Sequence, residues 1–127
     1  MKSLLSVTAA IEAVAGLVMI IFPPILTRIL LGSSLEGPVA LTIARIAGVA
    51  IFALGTACWL TRNDGQSKAA RGLVAALMIY NAGTSAVLIY SGLRLGLSCI
   101  GLWSVVMVHT FMCLWCILKL LKEGVPL

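Results

Sequence analysis

Apolar residues run along the chain in four long stretches, Leu4 to Phe22, Val39 to Leu60, Gly72 to Leu93 and Leu95 to Leu118, separated by short polar or glycine- and proline-bearing segments. A helix crossing a hydrocarbon core needs about 20 apolar residues, and each stretch meets that length. A 3.6-residue period is weak within them, as expected where lipid and neighbouring helices are both apolar, so length and turn signals set the boundaries. Pro23-Pro24 stops the first span, because proline lacks an amide donor and clashes with the preceding turn. Ile25 to Leu31, with Thr27 and Arg28, predicts a short interfacial helix ending at Gly32. Ser33 to Pro38 reads as a loop, with Pro38 suited to the first turn of the second span. Thr61 to Lys68 is the most polar segment and predicts a solvent-facing turn; a third connection falls around Ser91 to Gly96, and Lys119 to Leu127 is a tail. The expected architecture is all-α: one polytopic membrane domain over residues 1–127, a four-transmembrane-helix bundle with a short interfacial helix after the first span.

Composition supports this reading. Of 127 residues, 61% are hydrophobic and 10% charged, and the mean hydropathy is +1.15; a soluble domain is roughly 45–50% apolar and about 25% charged. An ordinary soluble globule is thereby excluded. The net charge of +5 does not point to nucleic acid, since the cations are scattered singly with no interleaved aromatic platform. They carry topology instead. Lys2, Arg62, Lys68, Arg71, Lys119 and Lys122 fall at one membrane face, Arg28 and Arg94 at the other, and Arg45 inside a span. The positive-inside rule then places both termini in the cytoplasm of a bacterial inner membrane. Met1-Lys2-Ser3 imitates the start of a signal peptide, but Glu12 interrupts the apolar region and the run reaches Phe22 without a clear cleavage site, so a retained helix is expected. Trp59, Trp103 and Trp115 lie close to span ends, as interfacial anchors do.

The candidate chemistry lies in the polar residues placed at depth. Each span supplies one: Glu12, Arg45, Asn81 and His109. Counted from the outer ends at about 1.5 Å per residue, Glu12, Asn81 and His109 lie roughly 15–17 Å deep and Arg45 roughly 9 Å deep. A charge at a helix centre costs about 2.5–3.5 kcal/mol on insertion scales and should face the interior with a partner. A buried Glu12–Arg45 ion pair is therefore expected, with Asn81 and His109 nearby and Tyr80 and Thr84 adding hydrogen bonds. Ala9, Ala13, Gly16 and Gly48 would let the helices approach closely. Such a cluster either fixes which helix packs on which or binds something: a proton, an anionic headgroup on Arg45, a quinone carbonyl near His109, or a cationic lipophile on Glu12.

His109, Cys113 and Cys116 form H-x3-C-x2-C on one helical face, a spacing open to a soft metal or a thiol redox pair. The two cysteines lie toward the reducing side, where cysteine more often serves as a small packing residue. Cys58 and Cys99 fall at other predicted depths, so no four-ligand metal site is expected. There is no Gly-rich phosphate loop, nucleophile elbow or HExxH, and no catalytic residue is assigned.

Two families resemble the chain. The apolar first helix running into Phe22-Pro23, the segment Arg45-Ile46-Ala47-Gly48, and Leu102-Trp103 with His109 resemble the small bacterial membrane proteins related broadly to the DoxX-like group, over nearly the whole chain. That resemblance implies a respiratory or redox-accessory role involving quinones. Glu12 within Ala9-Ala10-Ile11-Glu12-Ala13 is similar to the membrane carboxylate in the first helix of small multidrug-resistance exporters. The exporter's aromatic pocket has no counterpart in the second and third spans, and Arg45 would neutralise the carboxylate. The expectation is an accessory subunit of a larger membrane complex or a binder of a lipophilic ligand such as a quinone. The alternatives are a small homodimeric proton-coupled transporter using Glu12 and a CxxC-based membrane redox protein.

Overall fold

The structure, a computed structural model, describes residues 1–65, 67–97 and 99–122. They form five helices: α1 (Lys2–Ile21), α2 (Pro23–Leu31), α3 (Pro38–Thr61), α4 (Lys68–Arg94) and α5 (Ile100–Lys122). No strand occurs among the described residues. The four long helices, with mean hydropathy of 1.7 to 2.3 over their most apolar windows, are long and apolar enough to cross a membrane. Their exposed faces are apolar as well, carrying Val14, Ile43, Ile79 and Met107 among others.

Helix α4 begins four residues before the expected Gly72, at Lys68, and α5 runs four residues past Leu118, to Lys122; the starts of α2 and α5 differ from the sequence reading for local reasons. Pro23 and Pro24 end α1 and also begin α2, because the first turn of a helix needs no amide hydrogens from them. Helix α2 therefore starts two residues before Ile25. The last span begins at Ile100 rather than Leu95, because Leu95 and Leu97 both donate to the Ser91 carbonyl and Gly96 takes a φ of +68°. That left-handed position favours glycine and turns the chain before α5 can start. At the opposite end of the bundle, Ser67 caps α4 by accepting from the Ala70 amide at 3.1 Å.

The helices pack as two antiparallel pairs. In the first, α1 lies against α3 almost backbone to backbone. A Cβ placed on Gly16 would meet the Phe52 nitrogen at 2.5 Å, one on Gly48 the Ile20 nitrogen at 2.9 Å, and one on Gly55 the Ala13 nitrogen at 2.8 Å. Close approach through small residues is what helix pairing requires where lipid is as apolar as the side chains. In the second pair, α4 and α5 are joined by larger residues and polar bonds. Leu4, Leu5 and Ala9 of α1, Cys58 of α3, Val74 and Leu77 of α4, and Met112, Cys116 and Leu120 of α5 make a buried core between the pairs. It sits toward the end where α1 and α4 begin and α3 and α5 finish, the lysine-rich end. At the other end Leu88, Leu102 and Val106 form a smaller cluster against Leu30 and Leu31 of α2. Helix α2 is fastened there by Cys99, whose thiol donates to the Ile29 and Leu30 carbonyls at 3.1 and 3.0 Å, and by Gly101, which leaves room only for the Ile29 carbonyl.

Candidate functional site

Four of the five polar residues expected to cluster meet at the middle of the bundle. Glu12 is 3% exposed, and its Oε2 accepts from the Tyr80 hydroxyl at 3.1 Å. The Tyr80 ring stands edge-on to the His109 ring, with centroids 5.6 Å apart and planes at 79°. Asn81, also buried, donates from Nδ2 to the Leu77 carbonyl at 2.7 Å. That bond leaves Oδ1 facing α5, where it lies 2.7 Å from His109 Nδ1. An amide oxygen only accepts, so this contact places a proton on Nδ1. Ser85 and Thr110 pair at 3.3 Å one turn further along, and Cys113 Sγ donates to the Met78 carbonyl at 3.6 Å. Polar bonds thus run along the α4–α5 seam, and Tyr80 carries them across to α1.

Arg45 is not part of this cluster, and the expected Glu12–Arg45 ion pair is not formed. Arg45 is exposed, and its Nε donates to the Ile20 carbonyl at 3.3 Å. The cause is the register of the first pair. Gly48 against Gly16 and Ile20, with Gly55 against Ala9 and Ala13, slides Arg45 level with the end of α1. Ile20 is eight residues from Glu12, about 12 Å along the helix. The guanidinium instead meets a carbonyl in the last turn of α1, where unpaired acceptors and the negative end of the helix dipole favour a cation.

The cysteines also regroup. Cys116 and Cys58 are both wholly buried and share the main core cluster, so Cys58 lies nearer to Cys116 than the depth count from the sequence implied. Cys113 is held by its bond to Met78. All four cysteines are free, and among the described residues no group of three or more His, Cys, Asp and Glu is arranged to hold a metal ion.

No protein-family model, curated protein or solved structure matches the chain. What the site can do is therefore read from its own groups. Beside the Glu12–Tyr80 bond, the face of α4 bears a shallow, open apolar groove of about 380 Å³ lined by residues of that helix alone, Ile79, Tyr80, Gly83, Thr84, Val87 and Leu88. Thr84 lies one turn beyond Tyr80 on the same lining. Gly83 has nothing within 4 Å of where a Cβ would stand, which keeps the groove open. Tyr80 therefore lies in both places, its hydroxyl on the buried carboxyl and its body on the groove. Two members escaped the sequence reading. Thr8, a buried hydroxyl one turn before Glu12, was legible as an i, i+4 neighbour on the same face. The proximity of Cys58 was not legible, because it depends on the α1–α3 register.

Proposed function

We propose that this is an integral membrane protein that holds a lipophilic molecule in the α4 groove, with the molecule's polar head at the Tyr80–Glu12 bond. The observation that carries the reading is the double position of Tyr80, which joins a membrane-depth carboxyl to an apolar groove. An apolar surface with a few polar groups at one end is the usual pattern of a small-molecule site, and here a single helix face supplies it. The polar groups offered are a phenol donor, a carboxyl and, behind them, the His109 imidazole, a set suited to a quinone-type carbonyl head. The DoxX-like resemblance favours the same class and an accessory role in a larger membrane complex. In this reading the lysine-rich end is cytoplasmic in a bacterial inner membrane, and α2 lies at the opposite interface with Arg28 reaching toward headgroups.

Photolabelling with a short-tailed azido-benzoquinone in nanodiscs tests the proposal. The label is expected on residues 79–88, and Gly83→Leu, which fills the groove, should lower it by about tenfold, the loss of one well-packed contact of about 1.4 kcal/mol. Labelling that is insensitive to Gly83→Leu, or that maps to another face, refutes it. Native mass spectrometry after gentle extraction from the producing membrane then shows whether larger subunits or a second copy remain attached.

A second reading has one observation in its favour. The partner of Glu12 is a hydroxyl and not the Arg45 cation, which leaves the carboxyl un-neutralised, as a proton-coupled transporter would need. Glu12→Gln abolishing proton-driven uptake or efflux in proteoliposomes would support it; unchanged flux would end it.

A further inference from the structure

Two charged side chains stand well inside the apolar runs, Glu12 and Arg45. Glu12 is buried and bonded to Tyr80. Arg45 is exposed, on a stretch of α3 whose other exposed side chains include Ile43, Ile46 and Val49. It stands seven residues after Pro38, the first residue of α3, and so about 10 Å along the helix. A cation at that depth in a membrane is tolerated when its long side chain carries the charge back to a polar partner. Helix side chains lean toward the N-terminus, which for α3 is the end beside α2, so the guanidinium is aimed at that interface.

What it meets there is set by two prolines. In an unbroken helix the Met19 and Ile20 carbonyls would accept from residues 23 and 24, but Pro23 and Pro24 have no N–H. The Phe22 amide donates to Val18 and the Ile25 amide to Phe22. Helix α1 therefore ends on the Met19, Ile20 and Ile21 carbonyls with no helical amide to receive. Arg45 Nε takes the middle one, Ile20, at 3.3 Å, and the Met19 and Ile21 carbonyls flank it around the helix end. Helix α2 does not cover this place, because Cys99 and Gly101 fasten it against the start of α5; Ile21, Phe22 and Arg45 all stay exposed. Among the described residues the Arg45 Nη groups have no partner, carboxylate or otherwise. The end of the α1–α3 pair thus sets unclaimed guanidinium donors beside carbonyl acceptors that carry the negative end of a helix dipole.

We infer that this end of the α1–α3 pair holds the headgroup of a phospholipid bearing a primary ammonium, its phosphate on Arg45 and its ammonium on the neighbouring α1 carbonyls. A guanidinium matches phosphate oxygens in pairs, which a fixed Nε bond to Ile20 prepares by holding the fork in place. A primary ammonium carries N–H donors, and the Met19 and Ile21 carbonyls are acceptors without a donor. A simple anion would answer only the cation and leave those carbonyls open at the negative end of the dipole. A trimethylated ammonium has no N–H to give them. The exposed side chains around Arg45 are apolar, Ile21, Phe22, Ile43 and Ile46, a surface for acyl chains and not for a soluble headgroup. None of these residues lines the α4 groove, so the inference does not rest on lipophile binding there.

Native mass spectrometry of the delipidated full chain in detergent micelles gives the test, with phosphatidylethanolamine and phosphatidylcholine of identical acyl chains titrated in separately. The wild-type chain should hold the first phosphatidylethanolamine about tenfold more tightly, since the choline methyl groups cannot donate to the carbonyls. That comparison needs no substitution, so it stands whether or not a variant folds. Arg45→Gln should weaken phosphatidylethanolamine about tenfold, the loss of a charge-assisted contact, whereas Arg94→Gln, which removes a cation from the same end of the other helix pair, should leave it unchanged. Equal affinity for the two lipids overturns the inference, as does parental binding in Arg45→Gln or an equal loss in Arg94→Gln. Displacement of the lipid by an equal concentration of tail-less O-phosphoethanolamine would assign the site to a soluble ligand and overturn it too. A protein subunit retained from the native membrane by the parent and lost from Arg45→Gln would give Arg45 to an acidic partner helix, with the same result.

Discussion

Gly16→Ala and Gly83→Ala are the same change on two long helices, and the structure assigns them opposite signs. A Cβ on Gly16 would lie 2.5 Å from the Phe52 nitrogen, 2.8 Å from the Gly48 oxygen and 2.9 Å from the Phe52 Cα, all backbone atoms. Ordinary contact begins near 3.4 Å, so α1 and α3 must move apart by roughly 1 Å to admit the methyl group, an overpacking that typically costs about 1–3 kcal/mol. The better helix propensity of alanine returns about 1 kcal/mol, leaving a net loss of up to about 2 kcal/mol. The movement also loosens Gly48 and Gly55, which share the seam. Gly83 has nothing within 4 Å; only the propensity acts there, and a gain of up to about 1 kcal/mol follows. The propensity gain is common to both, so the separation between the two variants is the overpacking cost, about 1–3 kcal/mol, about fivefold or more in the folding equilibrium. Steric trapping in bicelles, or reversible unfolding in mixed micelles with rising sodium dodecyl sulfate, measures it. Gly16→Ala as stable as Gly83→Ala would refute the close-packed α1–α3 seam.

Three further outcomes are expected. In a double-mutant cycle, Glu12→Gln with Tyr80→Phe should show coupling of about 0.6 kcal/mol, up to about 1.7, the range for hydrogen bonds between membrane helices; the Glu12→Gln and Arg45→Gln cycle should be additive within about 0.3–0.5 kcal/mol, and the reverse ranking would restore the ion pair. Gly101→Ala places a methyl group on the Ile29 carbonyl, so α2 should lift and Cys99 should react faster with a maleimide; an unchanged rate would show that α2 is not fastened at that point. Replacing Cys113 and Cys116 together with serine should leave the redox behaviour of the native membrane unchanged, since Cys116 is buried in the core, whereas a lost redox activity would revive the CxxC reading.

The two helix pairs are held by different forces. The α1–α3 pair relies on shape, because its glycines let backbones touch, and polar groups add little along that seam. The α4–α5 pair relies on satisfied polar groups at Asn81, His109, Ser85 and Thr110. Glu12 stands on the first pair and Tyr80 on the second, so the proposed site lies where the two pairs meet.

The sequence by itself determined the helical class, the four long apolar segments and the polar connections, because length, hydropathy and proline placement are local properties. It also marked Glu12, Tyr80, Asn81 and His109, since polar residues in apolar runs are conspicuous without any knowledge of packing. Small residues at Ala9, Ala13, Gly16 and Gly48 announced a close contact, though not its partner. Tertiary structure alone decided the register of α1 on α3, and with it the fate of Arg45. A depth count along separate helices put Arg45 within reach of Glu12, but interlocking glycine backbones moved it to the end of α1 and gave it a carbonyl instead of a carboxylate. The packing of the two pairs on each other brought Cys58 to Cys116. Each of these outcomes depends on where one helix stops sliding along another, and in this chain that point is set by which backbone atoms can touch.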